Sequence, residues 1–385
     1  MANHASQQPA DAPLLIVPVM SPKLPTAESL LPYLQRIDVS RIYSNFGPLV
    51  HELEVRLGRL LMVPAGGLTL ASSGTAALVG AVLASVGRAT AGRPLALMPG
   101  YTFVATAVAA EQCGFRPFLS DVDPETWMLD PVRLLGDTRL EEVGVVIPVA
   151  PYGIAVPQAP WRDFHARTGI PVVIDGAASF EAICADPAMY LGDVPMVMSF
   201  HATKSFASGE GGAVVCEDTL LVGRAIQALN FGFYGSRHSR APSINGKLSE
   251  YHAAVGLAEL DGWEAKSTAF AQAAALYRRK FAEADLDDRL LVAPDVCSSY
   301  VLFRCRNVEE SARVQRRLQD DGIEFRLWYG TGLHRHEHFA DCRRDDLSVT
   351  ERIAPCILGL PMAIDLGEAI VDRVLAQLVE ALAEG

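Results

Sequence analysis

The sequence contains no C-x-x-C pair, and its seven cysteines (Cys113, Cys184, Cys216, Cys297, Cys305, Cys342 and Cys356) stand singly and are odd in number. That spacing excludes a zinc ribbon and argues against a disulfide framework, so reduced thiols and a cytoplasmic setting are expected. Positive charge is scarce: 33 Lys and Arg stand against 45 Asp and Glu, a formal net charge of -12. With no basic face and no basic helix-turn-helix pattern, the chain is not expected to bind nucleic acid. Long apolar runs are missing too. Leu14 to Met20 is broken by Pro18 and follows no basic segment, so it reads as neither a signal peptide nor a membrane anchor. There is no internal repeat and no low-complexity linker.

What is present is an ordinary globular composition, 385 residues with half of them apolar and a fifth charged, which leaves room for two domains. Leu49 to Met62 has helical spacing, and Thr75 to Val86 is an apolar helix. Short apolar runs read as strands covered on both faces: Leu95 to Met98, Arg116 to Leu119, Val145 to Val149, Val172 to Ile174, Met196 to Phe200 and Ala213 to Cys216. Their alternation with helices predicts an α/β fold with a mostly parallel mixed sheet. After about Asp261 the texture changes to a long helix near Ala265 to Ala284, a strand at Val301 to Arg304, and helices near Glu309 to Asp320 and Glu368 to Ala383. The expected organisation is an N-terminal tail and arm (1–30, with 1 to about 12 mobile), a large domain (31–263) and a smaller α+β C-terminal domain (264–385).

Four segments suggest chemistry. Ser199 to Ser208 (S-F-H-A-T-K-S-F-A-S) places Lys204 between two apolar strands and ahead of Gly209-Glu210-Gly211-Gly212. A lysine there is either a surface residue of a hairpin or an amine nucleophile of the kind that captures carbonyl compounds and pyridoxal phosphate (PLP). Ser72-Ser73-Gly74-Thr75 opens an apolar helix, whose free N–H groups suit a phosphate, or else simply has a serine cap. Asp175 ends a buried strand, where it caps the next segment or pairs with a protonated pyridine nitrogen. Phe103, in P-G-Y-T-F, follows another strand and is either core or a stacking surface for a flat ring.

In this order and at these spacings, the segments resemble the DegT/DnrJ/EryC1/StrS family of PLP-dependent nucleotide-sugar aminotransferases. Ser44 to Glu54, Ile244 to Leu257 and Leu358 to Met362 extend the resemblance. It implies a fold-type-I homodimer with active sites shared between subunits. It also implies Lys204 as the Schiff-base lysine and general base, Asp175 as partner of the ring nitrogen, and Gly74, Thr75 and Ser199 at the phosphate. Phe103 would lie on the ring, and Asn245 would reach the other subunit's phosphate. One departure stands out: Ala178 occupies a place where the family usually carries Gln, His or Glu.

The implied reaction passes an amino group from L-glutamate to a nucleotide-linked keto-sugar. The stretches Asn230 to His238 and Trp328 to Phe339 resemble family members acting at C4 of a dTDP-4-keto-6-deoxyhexose. Arg237, Lys247, Tyr329, His334 and Arg335 are the expected sugar-nucleotide contacts, with Arg326 a further candidate for the diphosphate. A 3-keto or UDP- or GDP-linked sugar, a PLP-dependent dehydratase, and a non-catalytic PLP- or nucleotide-sugar-binding regulator are the alternatives. His334, His336 and His338 alternate, but no cysteine or carboxylate completes a metal shell, so no metal is expected.

Overall fold

The computed structural model describes residues 16–292 and 299–384. Cys297 and the tail expected at residues 1 to about 12 lie outside the described residues. Eleven strands are present among those described: β1 (Leu68–Ala71), β2 (Leu95–Pro99), β3 (Arg116–Ser120), β4 (Val143–Val146), β5 (Ile174–Asp175), β6 (Met196–Ser199), β7 (Gly212–Val215), β8 (Leu290–Leu291), β9 (Leu302–Arg304), β10 (Arg343–Arg344) and β11 (Ile357–Gly359). Two ladders, β1-β7-β6-β5 and β10-β3-β2-β4, are joined by parallel bridges from Val146 to Val172 and from Val149 to Asp175. In the resulting sheet only β7 runs against the rest. The α/β expectation holds. Two strands differ from the prediction: the run expected at Val145 to Val149 pairs earlier, as β4, and the run expected at Val172 to Ile174 pairs later, as β5, with Val149 and Val172 held by single bridges.

Apolar continuity in these strands has a direct cause, since alternate residues enter two different cores. Leu95 and Leu97 of β2, Met196 and Met198 of β6, and Ala213 and Val215 of β7 face one core, shared with α2 (Pro48–Leu60) and the helix Glu250–Asp261. Ala96, Met98, Val197 and Val214 face the other, under α3 (Gly74–Ser85), α4 (Val104–Gln112) and the helix Thr219–Leu229. Helix α3 is apolar around its whole circumference because it is packed on all sides.

A third core gathers β8, β9 and β11 with the helices Val308–Asp320 and Glu368–Ala383. The helix Trp263–Glu283 passes from one core to the next. Trp263 packs at the first, while Phe270, Ala273 and Phe281 lie in the third. The segment expected as tail and arm is partly built in: Val17 exchanges backbone hydrogen bonds with Gly322 and Glu324, Val19 is buried, and a helix already begins at Ala27, capped by Thr26.

Candidate active site

The parallel strands all end at one edge of the sheet, where ligands of open α/β sheets collect. A cavity of about 380 Å³ opens there. Asp175, at the end of β5, lines it and is buried. Its Oδ2 accepts a 2.7 Å hydrogen bond from Thr106 Oγ1, and its Oδ1 accepts one from the Ala177 N–H at 3.2 Å. Thr106 is backed in turn by Thr102 at 3.0 Å. Burial pushes the Asp175 pKa up from its ordinary value, while the two hydrogen bonds and the Lys204 charge work against that rise. A buried carboxylate with neutral donors on one side and an open cavity on the other is suited to a cationic N–H.

Helix α3 starts at the same edge. Ser73 caps it, accepting from the Ala76 N–H at 3.1 Å. The N–H groups of Gly74 and Thr75 have no acceptor among the described residues, and both residues line the cavity. The chain is packed so closely here that glycine is required. A Cβ on Gly74 would lie 2.8 Å from the Ser199 Cβ, and one on Gly212 would lie 2.7 Å from the Ser73 carbonyl oxygen. Because Ser199 and Gly212 are paired across β6 and β7, the glycines let the helix start settle directly onto that pair. Two free N–H groups, the Thr75 hydroxyl, the Ser199 hydroxyl and the positive end of the helix form an anion cradle.

Lys204 lies on the hairpin between β6 and β7, where Ala202 N–H donates to the Gly209 carbonyl and Ser208 N–H to the Phe200 carbonyl. Both sequence readings of this lysine thus share one geometry: it is a hairpin residue, yet it lines the cavity with Asp175. The tip is anchored from behind by Phe206, which stacks on Phe180 at 4.4 Å and meets Phe200 and Trp263 edge-on. Nζ of Lys204 donates to the Tyr300 hydroxyl at 3.2 Å.

A wall of aromatic side chains adjoins the cavity, which it reaches through Tyr300, Trp328 and Tyr329. Tyr101 and Tyr152 share a 2.7 Å hydrogen bond between hydroxyls. Tyr329 stacks on Tyr152 at 4.6 Å and accepts its backbone N–H at 3.0 Å. Burial raises the pKa of all three phenols, so they stay neutral. Phe103, the N-cap residue of α4, is 57% exposed and lines the cavity, which leaves its ring face available to a flat ligand.

Of the expected residues, Gly74, Thr75, Phe103, Asp175, Ser199, Lys204, Tyr329 and Arg326 line this cavity. Arg237, Asn245 and Lys247 do not; all three belong to the segment after Asn230. Arg237 is exposed beside Phe233 and Tyr234, and Lys247 donates to Asn245 Oδ1 at 2.8 Å over the Phe231 ring. His334 and Arg335 also lie outside it, because Glu351 holds them at 3.2 Å and 2.8 Å. Burial lowers the His334 pKa. His338 turns to Glu111 at 2.9 Å, so the three alternating histidines do not converge. Among the described residues no group of His, Cys, Asp and Glu could hold a metal. Sequence reasoning missed Thr106, Tyr300 and Trp328. Thr106 lies three residues beyond the P-G-Y-T-F segment and one turn beyond Thr102.

The donor set fits PLP: one cavity is lined by an anion cradle, a buried carboxylate for the ring nitrogen, an amine and an exposed aromatic face. A family model described as the DegT/DnrJ/EryC1/StrS aminotransferase family matches residues 26–379. "Protein Rv3402c" of Mycobacterium tuberculosis is 33% identical over 392 residues, covering 98% of this chain and 93% of that protein. "dTDP-4-amino-4,6-dideoxy-D-glucose transaminase" of Shigella dysenteriae is 27% identical over 368 residues, covering 94% and 98%. The crystal structure of DesI in the presence of its TDP-sugar product superposes with a TM-score of 0.82 at 29% identity, covering 97% of this chain and 94% of that one.

Proposed function

Since the chain belongs to the DegT/DnrJ/EryC1/StrS aminotransferase family of PLP-dependent sugar aminotransferases, we propose that it transfers an amino group from L-glutamate to a nucleotide-linked keto-deoxy-sugar, at C4 of a dTDP-4-keto-6-deoxyhexose. The observation that carries this reading is the convergence of Lys204, Asp175 and the start of α3 on one cavity. The choice of sugar is supported by the Shigella dysenteriae transaminase and by DesI, whose names specify dTDP- and TDP-linked sugars.

When bound, PLP supplies a carbonyl that captures amines and a charged ring that accepts the electron pair released from carbon. The protein residues do the rest. The N–H groups of Gly74 and Thr75, with the Ser199 hydroxyl, hold the phosphate. Asp175 keeps the ring nitrogen protonated, and Thr106 fixes the carboxylate for that contact. With the cofactor bound, Lys204 would remove the proton from the donor's α-carbon and deliver it to the cofactor's former carbonyl carbon, acting as base and then as acid. Phe103 covers one ring face. Arg326, whose guanidinium lies 5.2 Å over the Trp328 ring, meets an anionic group of donor or sugar nucleotide.

The reading includes a homodimer. Asn245, Lys247 and Arg237 sit with exposed Phe231 and Tyr234 on a segment outside their own cavity, which suits residues that complete a partner's site. The reading also includes a cytoplasmic setting, which the free thiols of the six described cysteines support; no helix of the described residues is long and apolar enough to cross a membrane.

The test combines PLP-loaded protein, L-glutamate and dTDP-4-keto-6-deoxyglucose, alongside 3-keto, UDP- and GDP-linked analogues. Mass spectrometry and NMR should show an amine at C4 of the dTDP-sugar and release of 2-oxoglutarate. Amination of a different member of the panel would reassign the sugar, and no release of 2-oxoglutarate would overturn glutamate as donor.

A further inference from the structure

Lys204 has a neighbour that the mechanism above leaves unused. The Tyr300 hydroxyl lies 3.2 Å from Nζ, with the amine donating and the phenol oxygen accepting. The same Nζ is 5.8 Å from the Tyr300 ring centroid. Tyr300 lies just before β9 and is buried in a cluster with Tyr101, Trp127 and Tyr152. Its ring is wedged edge-on between Tyr152 at 5.7 Å and Trp328 at 5.3 Å. Packing therefore fixes the body of the side chain and leaves only its polar tip at the cavity.

We infer that Tyr300 is a positioning residue for Lys204: its hydroxyl oxygen accepts a hydrogen bond from the lysine ammonium and holds that side chain in place while it carries the proton. The inference rests on Lys204 acting as the base. In that step the donor's α C–H bond breaks, its electron pair passes toward the ring, and the proton forms a new N–H bond at Nζ. Tyr300 neither gains nor loses a proton. The ammonium formed lies in a partly desolvated cavity, where an oxygen acceptor and a ring face both favour the charged form. Of the other phenols on this wall, Tyr329 is engaged by the Tyr152 N–H, and Tyr101 and Tyr152 bond to each other.

The experiment is Tyr300→Phe in the full-length protein, which keeps the packed ring and removes only the oxygen. The kcat of the glutamate half-reaction should fall about tenfold, with KM for glutamate held within about twofold. The sign of the pH effect follows from the chemistry. The base acts unprotonated, so kcat rises with pH through its titration, and losing a group that stabilises the ammonium moves that rise to lower pH. In cofactor-free protein the pH midpoint for labelling Lys204 with an amine-directed reagent, mapped by mass spectrometry, should move the same way. An unmoved kcat and unmoved midpoint would overturn the inference, as would parallel changes in kcat and KM with the pH profile unchanged. Borohydride trapping keeps the two readings apart. If the label falls on Lys204 and the profiles do not move, Tyr300 alone is refuted. If it falls elsewhere in the wild type, the base assignment fails and Tyr300 falls with it.

Discussion

Gly74→Ala is the most demanding test of the anion cradle, because the structure fixes its geometry. The added methyl would sit 2.8 Å from Ser199 Cβ, 3.0 Å from Ser199 Oγ and 3.3 Å from Ser199 Cα, where ordinary contact begins at 3.4 Å. Ser199 has little freedom to retreat: it is paired with Gly212 across the antiparallel ladder, and its N–H donates to Ala177 at 3.3 Å. The start of α3 must therefore move outward by about 0.6 Å, the difference between 2.8 Å and 3.4 Å. A shift of that size takes a hydrogen bond of about 2.9 Å to about 3.5 Å, beyond useful range. Losing one hydrogen bond to a charged group costs about 1.5–3 kcal/mol, which lowers PLP affinity about 10- to 100-fold. The overpacking itself costs about 1–3 kcal/mol of stability. The assay is absorbance titration of cofactor-free protein with PLP, beside thermal unfolding of the same samples. PLP affinity within about twofold of wild type and an unchanged Tm would refute the close approach of α3 to Ser199.

Asp175→Asn tests the buried carboxylate through its sign. The folded pKa lies above the ordinary value of 3.8. In cofactor-free protein this side chain's contribution to stability is therefore present below about pH 3.8 and is lost as pH rises through the raised value. At neutral pH the cofactor-free Asn variant should melt no lower than wild type, an advantage that disappears on acidification, while amino transfer falls about 10²- to 10³-fold. A lower Tm at neutral pH would contradict the sign. Phe206→Ala removes the fully buried ring that stacks on Phe180 at 4.4 Å behind the Lys204 hairpin. It should cost about 3–5 kcal/mol and speed hydrogen exchange across residues 200–211, and unchanged exchange there would show that the hairpin is anchored by other contacts.

Much of the fold was legible because burial on both faces leaves an unbroken apolar run, as at Met196 to Met198, and the carboxylate ending such a run at Asp175 is a local signal. β1 was not read, because its four residues are squeezed between Gly66-Gly67 and Ser72. The cradle was readable from Ser73, Gly74 and Thr75 in consecutive order. Thr106 and Tyr300 were not, because each meets its partner across 69 and 96 residues of chain. His334, expected at the sugar nucleotide, lies outside the cavity for a different reason. Two short 3₁₀ turns, which the local sequence does not announce, send His334 to Glu351 and His338 to Glu111.

The most direct measurement is sodium borohydride reduction of the PLP-loaded protein, followed by proteolysis and peptide mass spectrometry. The predicted result is one phosphopyridoxyl group on Lys204, in the peptide spanning the β6–β7 hairpin. The same mass found instead on Lys247 or Lys266, with Lys204 unmodified, would contradict the assignment of the cavity.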